Sequence, residues 1–427
     1  GYFSTNRDGN IDNIFGFTKK NVLIDVIVQV FEKYKVNEII PSQPIKLKKV
    51  IPLNIVWLTA ESLRSDMLTP EIMPNTWKFS TERGINFTKH YSGGNGTRMG
   101  MFTQFYGLPG RYWFDFMDEQ KPPVLLTALQ EKQYDIKIYS GAKFSYPEFD
   151  KTIFSTIRNE NMQDNTNKQL GETGWEADRR NTTDLINSLK NIENEKNFMR
   201  FQFFESAHAR YYFPEDSIIR DDYLKSVNYA TMSMEKDMPQ IFNRYINSVH
   251  HLDQQIGKIL NHLTSTGLID NTIVIITGDH GEEFMENGHW GHNSEFTNEQ
   301  TQVPLVISIP NEQPRQVNRL TSHSDLPATL LPLLGVINSP ADYSTGNDLL
   351  SDKQSDFITI TDWNRICIVK NNMKIYHAID TKAWFSNRIT TIDDKPIIES
   401  DSPTSKTHFG LLKSAQHQLL SFKAVKH

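Results

Sequence analysis

Short, nearly all-apolar runs recur along the chain, each closed by polar or glycine-bearing sequence, with helix-spaced apolar positions between them. The runs Asn54–Ala60, Phe198–Glu205, Ile273–Ile276 and Val303–Pro310 read as strands, as does the shorter Asp135–Gly141. Consecutive apolar positions need burial on both faces, which is the pattern of strands in a parallel sheet covered on either side. Helices are expected from about Met73 to Glu82, over Thr97–Tyr106, over Val124–Gln133 and across Ser226–Gly267. This alternation predicts an α/β fold: a mostly parallel central sheet with helices on both faces. Residues 159–180 are polar and weakly patterned, and read as a surface excursion. Near the carboxyl end, Ile358–Thr361, Cys367–Lys370 and Lys374–Tyr376, with an Asn371-Asn372 turn, predict a small antiparallel subdomain. The amino-terminal part carries an amphipathic stretch, Asn21–Tyr34, followed by Pro41, Pro44 and the basic Lys46-Leu47-Lys48-Lys49. It reads as a helix packed on the domain surface and then a linker, with a membrane-lying helix as the alternative. The expected divisions are 1–50 for helix and linker, 51–340 for the main domain and 341–427 for the subdomain.

Composition narrows the function classes. The 427 residues carry a net charge of −6, with both signs interspersed, which argues against a nucleic-acid partner. A single cysteine, Cys367, rules out an intramolecular disulfide and a cysteine-based zinc cluster, and its strand context reads as a buried apolar residue. No apolar run approaches the roughly 18–20 residues that span a bilayer, and no basic-then-apolar leader opens the chain. A start at Gly1-Tyr2-Phe3 without methionine reads as a soluble piece of something longer.

Candidate chemistry collects at predicted strand ends. Asp279 and His280 follow Ile273–Ile276 directly, at the edge where open α/β sheets bind ligands. One hard oxygen and one imidazole nitrogen suit zinc or manganese better than calcium. Glu61 closes Asn54–Ala60 in the matching position. Thr97 follows the loop Ser92-Gly93-Gly94-Asn95-Gly96 and opens a helix, so its hydroxyl reads either as an N-cap or as a nucleophile activated by a cation. His208, in Ser206-Ala207-His208, and His292, in Gly288-His289-Trp290-Gly291-His292, are candidate phosphate contacts, with His289 ranked behind His292. His250, His251 and His323 read as structural.

The stretches Asn54–Glu61, the glycine loop with Thr97, Gly278–Glu283, Val303–Pro310 and Ser322–Leu326 together resemble the alkaline phosphatase and sulfatase superfamily. They are most similar to its membrane-tethered bacterial branch of lipoteichoic acid synthases and phosphoethanolamine transferases. Thr88–Asn95, Phe105–Leu108 and Pro340–Leu349 further resemble inner-membrane sulfatase-like regulators of lipopolysaccharide synthesis. The resemblance implies an alkaline phosphatase-like fold and one divalent ion on Glu61, Thr97, Asp279 and His280. Manganese or zinc come first for that ion, magnesium or calcium next. It further implies Thr97 as nucleophile with His208 and His292 at the phosphate. Sulfatases convert a Cys or Ser that has Pro two positions on and Arg four on. Thr97 is followed instead by Met99 and Met101, which argues against sulfate chemistry.

The expected activity is therefore metal-dependent hydrolysis or transfer of phosphodiester or phospho-headgroup substrates. The expected partners are a phospholipid or lipopolysaccharide and, through an anchoring segment outside this sequence, the periplasmic face of a bacterial inner membrane. The rival is a non-catalytic lipid- or lipopolysaccharide-binding regulator. A sulfatase or phosphomonoesterase ranks third, since no second ligand set is visible for a second metal.

Overall fold

A computed structural model describes residues 44–165, 171–192, 196–228, 230–379, 388–397 and 405–422. The expected helix over Asn21–Tyr34 lies outside them. The chain divides into two compact units, Ser42–Ser355 and one containing Asp356 onward.

Eight strands build the central sheet of the first unit: β1 (Asn54–Ala60), β2 (Ile85–Tyr91), β3 (Asp135–Ser140), β4 (Met162–Gln163), β5 (Phe198–Phe204), β6 (Thr272–Gly278), β9 (Leu305–Ser308) and β10 (Arg315–Ser322). Between β6 and β9 lies a small hairpin of β7 (Glu283–Phe284) and β8 (Trp290–Gly291). The strand order is β10-β2-β9-β6-β1-β5-β3-β4, and only β9 runs antiparallel to its neighbours. The mostly parallel reading therefore holds.

β1, β5 and β6 are buried at every position, which explains the apolar runs of β1 and β6, and in β5 the buried Arg200 and Gln202 are satisfied by Ser188, Asp135 and Thr182. The helices of this unit are α1 (Pro74–Glu82), α2 (Thr97–Tyr106), α3 (Trp113–Glu119), α4 (Val124–Glu131), α5 (Gly174–Lys190), α6 (Met238–Ser265), α7 (Asn298–Thr301) and α8 (Asp325–Leu333). Along α6 a stripe of Ile241, Tyr245, Val249, Leu252, Ile256, Ile259 and Leu263 is buried in one core with Val56, Leu58, Val274 and Ile276 of the sheet. On α2, Phe105 stacks on Trp57 of β1 with centroids 4.5 Å apart.

Two expectations about helices need correction. The long helix begins at Met238 rather than near Ser226, because Pro239 fits the first turn of a helix and not its interior. The tract expected to be a surface excursion, 159–180, runs into the first turns of α5, which is opened by a Thr173/Glu176 capping box. Its buried face includes Asp178, Asn181, Thr182 and Ser188, so apolar periodicity could not reveal it.

In the second unit, β11 (Ile358–Thr361), β12 (Arg365–Lys370), β13 (Met373–Ala378) and β14 (Arg388–Thr391) form an antiparallel sheet. Ile366, Ile368 and Ile375 of that sheet share a core with Leu411, Leu412, Ala415 and Leu419 of α9 (Ser405–Leu420). Cys367 is buried in β12, as its context suggested.

Candidate metal and phosphoryl-transfer site

The parallel register brings two carboxylates to one edge. Ala60 lies opposite Gly278 and also opposite Phe204, so the residues after β1, β6 and β5 emerge side by side. The pairing continues one step beyond the strands: Asp279 N donates to Ala60 O at 3.0 Å and Glu61 N donates to Phe204 O at 2.9 Å. Opposite them, α2 approaches closely at Gly100, where a Cβ would stand 2.1 Å from the Asp279 carbonyl oxygen. Ser92 Oγ donates to that same carbonyl at 2.5 Å, tying the glycine loop to the strand tip.

The helix end removes the capping reading of Thr97. The capping position is Gly96, and Thr97 is the first helical residue. Its Oγ1 lies 3.0 Å from Glu61 Oε1 and 3.2 Å from His280 Nε2. His280 donates from Nδ1 to the Gly281 carbonyl at 2.7 Å, which aims Nε2 at the carboxylates. That nitrogen faces acceptors, Glu61 Oε1 at 3.1 Å and Asp279 Oδ2 at 3.4 Å. Asp279 Oδ1 accepts from Ser62 N and His280 N, whereas Oδ2 is buried and has no hydrogen-bond partner.

A buried carboxylate oxygen without a hydrogen-bond partner, a second carboxylate and an imidazole nitrogen that converge in one place fit a cation. Burial and the neighbouring Glu61 charge push the Asp279 carboxyl well above its usual range. Burial also opposes ionisation of Glu61, but its hydrogen bond to His280 and the charges of His208, His280 and His292 outweigh it, holding Glu61 at about 2. Two buried carboxylates side by side cannot both ionise unless positive charge joins them.

His292 adjoins this cluster. Its ring lies 4.3 Å from that of His280, and Glu61, His280 and His292 each bring a ligand atom within 4.8 Å of the others. His292 Nδ1 is held by Glu282 Oε2 at 2.6 Å, and the other Glu282 oxygen accepts the Tyr211 hydroxyl. Trp290 Nε1 donates to the Tyr211 oxygen at 3.2 Å. Burial would raise the Glu282 carboxyl, but His292 and the Tyr211 hydroxyl hold it below its usual range. His208 sits at the rim, its ring 5.9 Å from that of His292 and its Nδ1 3.5 Å from Glu205 Oε1. Burial alone would lower the His208 pKa, yet the carboxylates of Glu205, Glu61 and Glu282 push it up.

All six candidates thus gather at the carboxyl edge of β1, β5 and β6 and the start of α2. The structure sets Thr97, Glu61 and His280 against one another, sets Asp279 against His280, places His292 beside them and leaves His208 further out. His289 stays outside, 3.8 Å from Glu283. His251 and His323 are buried in structural hydrogen bonds, to Ser206 Oγ and to the Gly100 carbonyl. Glu282 and Tyr211 were not foreseen. Glu282 stands beside Glu283, which instead braces the loop through Thr297 and Gln300, and no local pattern separates the two. Tyr211 carries no sequence signal at all.

The chain spans about half the length of the curated relatives it matches. Inner membrane protein YejM of Salmonella typhi is 26% identical over 330 residues, covering 75% of this chain and 49% of that protein. The lipoteichoic acid synthase LtaP from Listeria monocytogenes superposes with a TM-score of 0.63 at 14% identity, covering 95% of this chain and 100% of that one. The periplasmic domain of EptC from Escherichia coli, solved in complex with Zn, gives 0.55 at 14% identity, covering 75% of this chain and 93% of that one. Among the described residues, no helix is long and apolar enough to cross a membrane. The sulfatase family matches residues 53–336, which include every residue of the site, and the chain belongs to that family.

Proposed function

We propose that this chain is a metal-dependent hydrolase or transferase of phosphodiester or phospho-headgroup substrates, with Thr97 as its nucleophile. One observation carries the reading: the Thr97 hydroxyl does not cap its helix but meets Glu61 and His280 beside the unpartnered Asp279 Oδ2. Glu61, Asp279, His280 and the Thr97 oxygen would hold one divalent ion, and two carboxylates, an imidazole and a hydroxyl suit manganese or zinc. When bound, that ion supplies Lewis acidity to the hydroxyl and to a phosphoryl oxygen.

The chain's own groups do the rest. Thr97 Oγ1, its proton given up to solvent when the ion is bound, forms a bond to phosphorus in line with the departing alkoxide and is released at the end as the same ionised oxygen, with the amino-terminal turn of α2 at hand for the phosphoryl oxygens. His292, oriented by Glu282, gives the leaving oxygen its proton. The same imidazole then takes the proton of a water or acceptor alcohol, which attacks phosphorus and releases Thr97. His208, kept cationic by its carboxylate neighbours, attracts the anionic substrate. Likeness to an inner membrane protein, a lipoteichoic acid synthase and a periplasmic domain supports action at the periplasmic face of an inner membrane, and the substrate we propose there is a phospholipid or lipopolysaccharide.

The test compares metal content and turnover of a bis-aryl phosphodiester in the parent and in Thr97→Ala. About one ion per chain, with turnover lost in Thr97→Ala while the fold survives, supports the reading. A parent that holds no ion and stays inert with added manganese or zinc overturns it and leaves the non-catalytic lipid-binding regulator as the better account.

A further inference from the structure

The loop after β8 lies against the start of α2, and hydrogen bonds lace the two segments together. Asn293 N donates to Asn95 O at 2.8 Å, and Asn95 Nδ2 donates to Glu295 O at 3.0 Å. The next two amides, Ser294 N and Glu295 N, both donate to Gln300 Oε1, at 3.2 and 3.1 Å. On the other side, His292 is fixed by Glu282. Asn293 itself has a φ of +62°, which asparagine adopts more readily than most residues. Its backbone is therefore anchored on both sides, while its side chain is exposed.

That side chain occupies the room left by a glycine. Gly96 has an extended backbone, φ −159° and ψ 164°, which any residue could adopt, so conformation does not call for glycine there. Space does: a Cβ on Gly96 would stand 1.8 Å from Asn293 Oδ1 and 2.7 Å from its Cγ. The carboxamide thus rests on the residue before Thr97, and the residue before Asn293 is His292, whose ring lies 4.3 Å from that of His280. The Gly96-Thr97 pair and the His292-Asn293 pair meet at the site, with the carboxamide beside the backbone that carries the nucleophile. Among the described residues, that carboxamide has no hydrogen-bond partner. It brings two N–H donors, and a neutral donor fixed beside developing negative charge stabilises that charge without reorganising.

We propose that Asn293 is a further catalytic residue, donating from Nδ2 to a non-bridging oxygen of the phosphoryl group that Thr97 attacks. This role rests on Thr97 acting as the nucleophile proposed above. Asn293 moves no proton and is not among the residues that would hold the ion, so its contribution is separable from theirs. The same role accounts for glycine at position 96, because any side chain there would push the donor away from the site.

The experiment compares Asn293→Gly and Asn293→Asp with the parent. Both replacements accept a positive φ, glycine with no side-chain donor and aspartate with the same outline but acceptor oxygens alone. The measurements are metal affinity and melting temperature, binding of inorganic phosphate to the metal-loaded chain, and kcat and KM for the bis-aryl phosphodiester. Metal affinity and melting temperature should stay close to the parent's. Turnover should fall on the order of 100-fold in kcat for Asn293→Gly, as for loss of one oxyanion donor, and further for Asn293→Asp. Phosphate binding should weaken in the same order. If asparagine serves only its positive φ, both variants will match the parent in turnover and phosphate binding, and the proposal is overturned. A fall in kcat that comes with lost metal affinity overturns it too, since Asn293 would then be bracing the ion's ligands. An inert parent defeats the reading of Thr97 as nucleophile, and phosphate binding then decides. Weaker binding in both variants supports the Asn293 contact, whereas equal or absent binding overturns it.

Discussion

Gly100→Ala tests whether the site depends on how closely α2 approaches the tip of β6. A Cβ at this position would stand 2.1 Å from the Asp279 carbonyl oxygen and 2.9 Å from Ser92 Oγ, whereas ordinary contact begins at 3.4 Å. The first obstacle is backbone, so relief requires the helix and the strand tip to part by about 1.3 Å, the difference between 3.4 and 2.1 Å. That motion opens the distance between Thr97, one turn earlier on the helix, and Asp279 and His280. Two effects on stability oppose each other. Alanine stabilises a helix interior by roughly 0.5–1 kcal/mol over glycine. Overpacking against an unyielding neighbour costs about 1–3 kcal/mol, so a net loss is expected. Function should suffer more, because misplacing reacting groups by about 1 Å can cost on the order of 100-fold in rate. The assays are urea unfolding, calorimetric metal titration and phosphodiester turnover. Metal affinity should fall along with turnover, and it reads the geometry even in a chain that proves inert. A variant that is more stable than the parent and binds metal equally well would refute the argument that this contact positions the site.

Asp279→Asn should weaken metal binding by roughly 100-fold or more, and in chelator it should melt at or above the parent's temperature, because it removes a buried carboxylate oxygen with no partner. A lower melting temperature in chelator together with intact metal affinity would contradict this. His251, buried and facing Arg179, is held at about 3, below its ordinary value. Its stabilising contribution is therefore full above about pH 6.5 and is lost as pH falls toward 3, at about 1.4 kcal/mol per unit. Between pH 7.5 and 5.0 the parent should thus lose about 2 kcal/mol more than His251→Gln, and equal losses in urea unfolding would exclude this origin of acid sensitivity.

What could be read from the sequence followed from one physical circumstance. Strands buried on both faces are mostly apolar, so β1, β5 and β6 announced themselves despite buried polar residues such as Arg200 and Gln202, and the polar residues that end them marked the carboxyl edge where Glu61, Asp279 and His208 lie. Thr97 was legible as a residue but not in its role, because a hydroxyl at a helix start serves equally as a cap until the position of Gly96 is known. The hidden parts are those whose burial rests on hydrogen bonds. α5 turns Asp178 inward, where its carboxylate accepts the Glu205 and Ser206 backbone N–H groups and the Ser206 hydroxyl. Those bonds fix the loop that carries His208, yet in sequence Asp178 is one more charge in a polar tract.

The same reasoning separates Glu282 from Glu283. Both are buried, and each is satisfied by partners distant in sequence or by a neighbouring loop: Tyr211 and His292 for the first, Thr297 and Gln300 for the second. A carboxylate bonded only to hydroxyl, amide and backbone groups braces structure, whereas one bonded to an imidazole beside a cation site fixes that ring's orientation and basicity. Glu282 therefore acts on the site through His292, and Tyr211 acts through Glu282. This chain of contacts runs from a buried ring to the site edge, and only the folded arrangement could reveal it.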